Sequence, residues 1–102
     1  MVNVERRIKR IRRLMLVHSY LYYHLDAPVV TDEYWQTKAN LLKELQTTLG
    51  TKFNFYDEAF ADWDGSTGCH LPVDDWVIMT AQKILDYLEL YGGCNELPPS
   101  YR

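Results

Sequence analysis

The sequence predicts an all-α protein, a small bundle of about four helices that begins with an antiparallel helical hairpin. Apolar residues recur at helical spacing in three segments, and helix-ending residues stand between those segments. The 102 residues are 47% hydrophobic without a long apolar run, which is typical of a small globular protein. We therefore expect one domain over residues 1–102, with an irregular aromatic and acidic segment at 51–73 and an extended tail at 93–102.

The first predicted helix covers residues 3–25, where no residue breaks helical structure. Asp26, Ala27 and Pro28 should end it, because the residue before a proline is disfavoured in the helical region of backbone conformation. Its apolar face is formed by residues at helical spacing: Val4, Ile8, Ile11, Met15, His18 and Tyr22.

The second predicted helix begins after Thr31, a suitable N-cap, and ends at Gly50. Acidic residues in its first turn complement the helix dipole. Its apolar stripe consists of Trp35, Ala39, Leu42, Leu45 and Leu49. We expect the two helices to pack antiparallel, with Ile11 and Met15 against Leu42 and Leu45.

Aromatic and acidic residues alternate irregularly in the segment 51–73, where we expect a short helix near 56–61 followed by a loop. A last helix should span 74–92, ending at Gly92-Gly93. Its predicted core face contains Val77, Ala81, Ile84, Leu88 and Tyr91. Phe60, Trp63 and Trp76 are expected to be exposed near the acidic loop, where they would suit a partner protein.

The composition argues against several classes of protein. No segment approaches the roughly 20 apolar residues of a membrane span, and residues 1–25 do not have the pattern of a signal peptide, so a cytoplasmic location is expected. Cys69 and Cys94 are interpreted as free thiols. With His70 they lack the fourth ligand and the paired spacing of a zinc site, so no metal is expected.

Six basic side chains precede residue 14, in a chain of net charge −3. The basic face of Arg6, Arg10 and Arg13 could follow nucleic-acid phosphates, but a solvated helix face is the favoured interpretation.

The corner between the first two helices carries the most informative residues. The aromatic side chains Tyr22, Tyr23 and Trp35 and the carboxylate of Asp32 should lie around it. Such a corner could hold a flat cationic ring between aromatic faces, with a carboxylate nearby. The alternative is that these aromatic residues simply fill a small core between two helices.

The stretch from His18 to Pro28, with Thr31-Asp32, resembles the N-terminal (Ia) domain of bacterial NAD-dependent DNA ligases, whose pattern is approximately H-x-Y-x-Y-Y/H-x-x-D-x-P-x-x-S/T-D-x-x-Y-D. The likeness covers residues 5–46. It implies a nicotinamide mononucleotide or NAD site, whose residues here would be His18, Tyr22, Tyr23, Asp32, Trp35 and Gln36. Trp35 stands where the family has tyrosine and Gln36 where it has aspartate, and restoring aspartate at 36 would be expected to strengthen binding.

The resemblance does not extend to catalysis. The family uses a lysine in K-x-D-G, whereas Asp62-Trp63-Asp64-Gly65 has an aspartate at that place, which cannot form a lysyl phosphoramidate. No serine or cysteine is convincingly placed beside His18 or His24, so no catalytic residue is expected.

The leading hypothesis is thus a noncatalytic binding module with a nicotinamide-nucleotide site, similar to ligase-related small proteins of bacteriophages. The alternative is an interaction or inhibitor protein that binds a host ligase, nuclease or defence system through the same scaffold. An enzyme acting on NAD is the least favoured interpretation.

Overall fold

The computed structural model describes residues 4–90, and every regular element in that range is a helix. The helices are α1 (Val4–Tyr23), α2 (Asp32–Leu49), α3 (Asp57–Phe60) and α4 (Asp75–Leu90). The prediction of an all-α bundle of four helices is confirmed. The predicted stop at Gly92-Gly93, the tail at 93–102 and the core position of Tyr91 lie outside the described residues, as does Cys94.

Helix α1 is the central element, because it packs against both α2 and α4. The predicted face is buried at Ile8, Ile11, Met15 and His18, but Val4 and Tyr22 at its ends are exposed. A second set of α1 side chains is also buried: Leu14, Leu16, Val17, Ser19 and Leu21. α1 therefore has two packed faces, whereas the sequence predicted one.

Helices α1 and α2 form the predicted antiparallel hairpin. Arg12 early in α1 bonds Gln46 late in α2, and Ser19 late in α1 bonds Trp35 early in α2. Leu42 is completely buried in this interface and Leu45 packs against it. The predicted stripe stops short of Leu49, which is exposed.

The predicted ends of α2 are confirmed by their hydrogen bonds. The Thr31 hydroxyl accepts a bond from the Tyr34 backbone N–H, which satisfies one of the unpaired donors of the first turn. At the other end, Gly50 has a φ of 90° and its N–H donates to Gln46 O. A glycine adopts this left-handed conformation without the steric cost that a side chain would add.

Helix α4 packs along the second face of α1. Val77, near the start of α4, belongs to the same buried cluster as Leu14, and Ala81 and Ile84 form a second buried cluster with Val17 and Leu21. The Asp74 carboxylate caps α4 by accepting a bond from the Val77 N–H. No described helix has the length and apolarity to traverse a lipid bilayer.

The aromatic segment after α2 folds inward, so the prediction that Phe60 and Trp63 are exposed is wrong. Phe60 is 0% and Trp63 7% exposed. The indole N–H of Trp63 donates to Ala39 O at 3.0 Å, which lets the ring lie in the core with its polar atom satisfied. Trp76, in contrast, is 40% exposed as predicted.

The basic run of α1 is not uniformly solvated. Arg6, Arg10 and Arg13 are exposed as predicted, but Arg12 is 0% exposed. Its guanidinium donates to Gln46 Oε1, Thr51 O, Phe55 O and Asp57 Oδ1 at 2.7–3.0 Å. The rings of Phe53 and Phe60 flank it, with centroids 5.5 and 5.4 Å away. Because charged groups are rarely buried unless they are paired, this network explains how Arg12 occupies the core.

Candidate functional site

One cleft of about 280 Å³ lies at the corner between α1 and α2. All six side chains that the sequence assigned to a binding site line it: His18, Tyr22, Tyr23, Asp32, Trp35 and Gln36. Pro28, Val30, Thr31 and Ser66 complete the lining. We call this the corner cleft. The structure thus brings the predicted site residues together, and adds one residue, Ser66, from a distant part of the chain.

The helix ends explain why these residues meet. His18 and Tyr22 are four residues apart and therefore share a face in the last turns of α1. Asp32, Trp35 and Gln36 belong to the first turns of α2. Because the hairpin is antiparallel, the end of one helix lies beside the start of the other.

The connection between the two helices closes tightly. Asp26 has a φ of 49°, in the left-handed region, and the Ala27 N–H donates to Leu21 O at 2.9 Å. Aspartate tolerates this region better than most residues that carry a side chain. The turn lets Pro28 and Val30 line the cleft between the two helices.

Aromatic rings form much of the cleft wall. Tyr22 and Tyr23 are each 45% exposed and meet edge to face, with ring centroids 4.8 Å apart. Trp35 is half-buried, and its indole N–H donates to Ser19 Oγ at 3.3 Å. Behind Trp35 lies Trp63, in an edge-to-face contact with centroids 6.1 Å apart. The wall can present π surface to a flat ligand, and its tryptophan is held in place from behind.

The permanent charge of the corner cleft is negative. Asp32 is the carboxylate among its lining residues, and no lysine or arginine is among the described side chains that line it. Asp32 is exposed, in the first turn of α2. A cationic ring between the aromatic side chains would meet both their π faces and this carboxylate.

The loop of residues 64–68, which we call the glycine loop, was not recognised from the sequence as part of the site. The Gln36 side-chain amide donates to Gly65 O at 2.7 Å, and the hydroxyls of Tyr23 and Thr67 are 3.0 Å apart. Two site residues thus hold this loop against the helical corner. The signal for this loop in the sequence is the pair of glycines, Gly65 and Gly68, on either side of Ser66 and Thr67. Glycines are typical of a loop whose backbone lies close to the backbone of another segment.

Gly68 shows how close that approach is. A Cβ atom built at Gly68 would lie 2.1 Å from Ser19 Oγ and 3.2 Å from Trp35 Cζ2. Gly65 has a φ of 80° and lies against Ala39 O and the Asn40 side chain. The loop therefore needs glycine at both positions, for space at Gly68 and for backbone conformation at Gly65.

Within the glycine loop, Asp64 organises Ser66. Asp64 Oδ1 accepts bonds from the Ser66 hydroxyl at 2.6 Å and from the Ser66 backbone N–H at 2.9 Å. These two bonds hold the pKa of the Asp64 carboxyl below its usual value, and the bond from the Ser66 hydroxyl has the larger effect. Both donors of Ser66 are therefore directed at a carboxylate.

A second, more open depression of about 630 Å³ lies around α3, with Tyr56, His70 and Pro72 in its lining. It contains none of the predicted site residues. The pKa of Tyr56 is raised to about 12. Burial is the largest cause, and the hydrogen bond to Asp74 and the negative charge of that carboxylate add to it. Asp57, which also lines this depression, forms an ion pair with Arg12. We therefore assign these residues a structural role.

Among residues 4–90, no group of three or more His, Cys, Asp or Glu side chains could hold a metal ion. Cys69 is an exposed free thiol.

Comparison with known proteins adds no assignment. No family model matches the chain, and no solved structure matches it. The candidate site is therefore defined by the corner cleft itself.

Proposed function

We propose that this protein is a noncatalytic binding module for nicotinamide nucleotides, resembling the corresponding domain of NAD-dependent DNA ligases but without nick-sealing activity. One observation carries the proposal. The six residues at positions that correspond to site positions of that domain, four matching its pattern and two (Trp35 and Gln36) departing from it, line a single cleft. As a ligase-like small protein it would act in a bacterial cytoplasm, where NAD is abundant, and a bacteriophage source fits this proposal.

The chemistry of the corner cleft supports an oxidised nicotinamide ring as the ligand. That ring is flat and positively charged, and the cleft offers Tyr22, Tyr23 and Trp35 beside the Asp32 carboxylate. A cation over an aromatic face contributes about 0.5–2 kcal/mol, with tryptophan the strongest partner. Charge and ring shape together would distinguish nicotinamide from the neutral adenine of the same dinucleotide.

The size of the cleft supports one ring and its sugar. Small-molecule sites commonly enclose about 300–1,000 Å³, and the corner cleft, at about 280 Å³, is just smaller than that range. The nicotinamide half of NAD would therefore occupy it, with the adenosine half outside.

Calorimetry at pH 7.5 with nicotinamide mononucleotide, NAD and ADP-ribose tests the proposal. We expect the first two to bind and ADP-ribose, which lacks the nicotinamide ring, not to bind. Reduced nicotinamide mononucleotide is a matched control, because its ring has nearly the same shape but no positive charge. It should bind about two- to thirtyfold more weakly than the oxidised form.

Two variants and one control variant locate the binding. Trp35→Leu should lower the affinity for the oxidised ligand, whereas Trp76→Leu on α4 should not. Asp32→Asn should also lower it, with melting curves to separate binding from the helix-dipole contribution of about 0.3–1 kcal/mol. Equal heats from oxidised and reduced ligands, or no heat from any ligand, would contradict the proposal.

The exposed outer face of α4 favours a second candidate function, that of an interaction or inhibitor protein. Trp76, Met79 and Leu90 are exposed on this helix. Aromatic residues and methionine are enriched at protein interfaces, which makes this face the one suited to a host protein. Under this alternative, the protein should inhibit a purified bacterial ligase or nuclease, and Trp76→Ser with Met79→Ser should remove the inhibition while Trp35→Leu should not.

A further inference from the structure

We infer that the corner cleft selects pyridinium nucleosides that carry no phosphate, such as nicotinamide riboside, over the corresponding nucleotides. This inference rests on the proposed binding of the oxidised nicotinamide ring in the corner cleft. It adds a ranking: nucleotides bind there, but more weakly than the nucleoside. A nucleotide differs from its nucleoside by a phosphate of about two negative charges. The selection therefore depends on what the described residues in and around the cleft offer to an anion.

The described residues that line the cleft offer an anion no permanent positive charge. Asp32 is its charged residue, and no described lining residue is a lysine or arginine. Sites that bind phosphate typically supply arginine or lysine, or several backbone N–H groups directed at the oxygens. His18 also lines the cleft, but its side chain is buried rather than presented at the open surface of the cleft.

The glycine loop has the composition of a phosphate-binding loop, but the donors of the loop residue that lines the cleft are already occupied. The N–H and hydroxyl of Ser66, the loop residue that lines the cleft, both donate to Asp64 Oδ1. The Cys69 N–H is directed at Thr67 Oγ1. Lys43 lies close enough to lower the pKa of Asp64, but it is not among the lining residues. A phosphate at this edge would therefore approach a second carboxylate.

The start of α2 is the remaining feature that could attract an anion, through its dipole and its free N–H groups. The Tyr34 N–H in this turn already donates to Thr31 Oγ1. Asp32 and Glu33 place two carboxylates in the same turn. These negative charges offset the dipole, so the helix start does not provide a phosphate site.

A comparison of the affinities of two ligands tests the inference. We expect nicotinamide riboside to bind about tenfold more tightly than nicotinamide mononucleotide by calorimetry at pH 7.5 and low salt. Because the two ligands share the ring and sugar, their affinity ratio isolates the phosphate. Raising the ionic strength should move the ratio toward one, since screening weakens the repulsion between phosphate and Asp32.

Asp32→Asn provides the matched variant. It should weaken riboside binding, and it should also reduce the preference for riboside over mononucleotide, which a purely structural role of Asp32 would not do. Binding of the mononucleotide with equal or greater affinity would overturn the inference and leave the proposed function standing. Binding of neither ligand would overturn both.

Discussion

At the scale of single residues, Arg12 determines how the chain after α2 folds. Its guanidinium bonds two backbone carbonyls of the segment 51–57, those of Thr51 and Phe55, and the carboxylate of Asp57. Gln46 extends the network by accepting from Arg12 and donating to Phe60 O. Sequence reasoning missed this role, because Arg12 stands among five other basic residues and nothing in the pattern separates it from them.

Replacing Arg12 by methionine should destabilise the protein by about 3–5 kcal/mol, measured as the free energy of unfolding in urea. The substitution keeps an apolar stem but leaves carbonyl and amide oxygens without their donor. Arg7→Met is the matched control, since Arg7 is exposed on the same helix. A loss as small as that of the control would show that Arg12 does not hold the segment.

Asp57 should make stability depend on acid pH. Partial burial by itself raises the pKa of this carboxyl, but bonds from the Phe53 N–H, the Arg12 guanidinium and the Phe55 and Asn54 N–H groups lower it to about 2. The folded pKa is thus below the ordinary value of 3.8. The ionised carboxylate therefore contributes its full stability above about pH 4, and that contribution is lost as the pH falls toward 2.

Urea titrations between pH 2 and 6 measure this dependence. Stability should fall with decreasing pH, and Asp57→Asn should flatten the lower part of the curve. The variant should also be less stable at pH 6, because a neutral amide is a weaker partner for Arg12. An unchanged slope in Asp57→Asn would assign the acid sensitivity to other carboxyl groups.

At the scale of elements, the glycine loop and the helical corner depend on each other. Gln36 and Tyr23 hold the loop by their side chains, and Gly68 lets its backbone lie against Ser19. In the ligase pattern, position 36 is an aspartate. The glutamine here has a specific partner, the carbonyl of Gly65, to which only a donor can bind.

Gln36→Asp should therefore release the loop and lower both stability and ligand affinity. Aspartate is one methylene shorter than glutamine and carries no donor, so the 2.7 Å bond to Gly65 O would be lost. This is the reverse of what the family pattern alone implies. Calorimetry and melting curves of Gln36→Asp measure the effect, with Thr37→Asp as a charge-matched control at the exposed neighbouring position of α2. A rise in affinity would show that the loop contact is unimportant.

Gly68→Ala should destabilise the protein by about 1–3 kcal/mol, because the added methyl overlaps Ser19 Oγ. Combining it with Ser19→Ala removes that oxygen and should recover part of the loss. The double-mutant cycle should thus show a favourable coupling between the two sites, read from urea unfolding. Additive losses would mean that the loop does not lie on α1.

The elements also show what sequence periodicity can and cannot provide. The end of α1, the Thr31 cap and the Gly50 stop depend on local chemistry, and the sequence predicted them correctly. The short helix expected at 56–61 is present as Asp57–Phe60. The inward position of Phe60 and Trp63 depends instead on long-range packing, and the segment 51–73 has no period from which to infer it.

At the scale of the whole molecule, α1 separates two surfaces. On one side, α2 and the glycine loop build the corner cleft, and on the other α4 covers the second apolar face of α1. The sequence located the cleft because its residues come from two adjacent helix ends. It did not locate Ser66, which is 30 residues beyond the nearest part of that corner and is brought there only by the fold.

The three tryptophans report on these surfaces independently. Trp35 lines the cleft, Trp63 lies buried behind it, and Trp76 is exposed on α4. Their indole N–H groups differ in partners, since Trp35 donates to Ser19 and Trp63 to Ala39. Each should therefore give its own resonance in a proton–nitrogen NMR spectrum.

Titration of the nitrogen-labelled protein with nicotinamide riboside, followed at these indole resonances, tests the central claim most directly. If the ring binds in the corner cleft, the Trp35 resonance should shift most, that of Trp63 less, and that of Trp76 should stay in place. Assignment by single replacement of each tryptophan with phenylalanine identifies the three signals. A titration in which Trp35 does not move, or in which Trp76 moves as far as Trp35, would contradict a nicotinamide site at this corner.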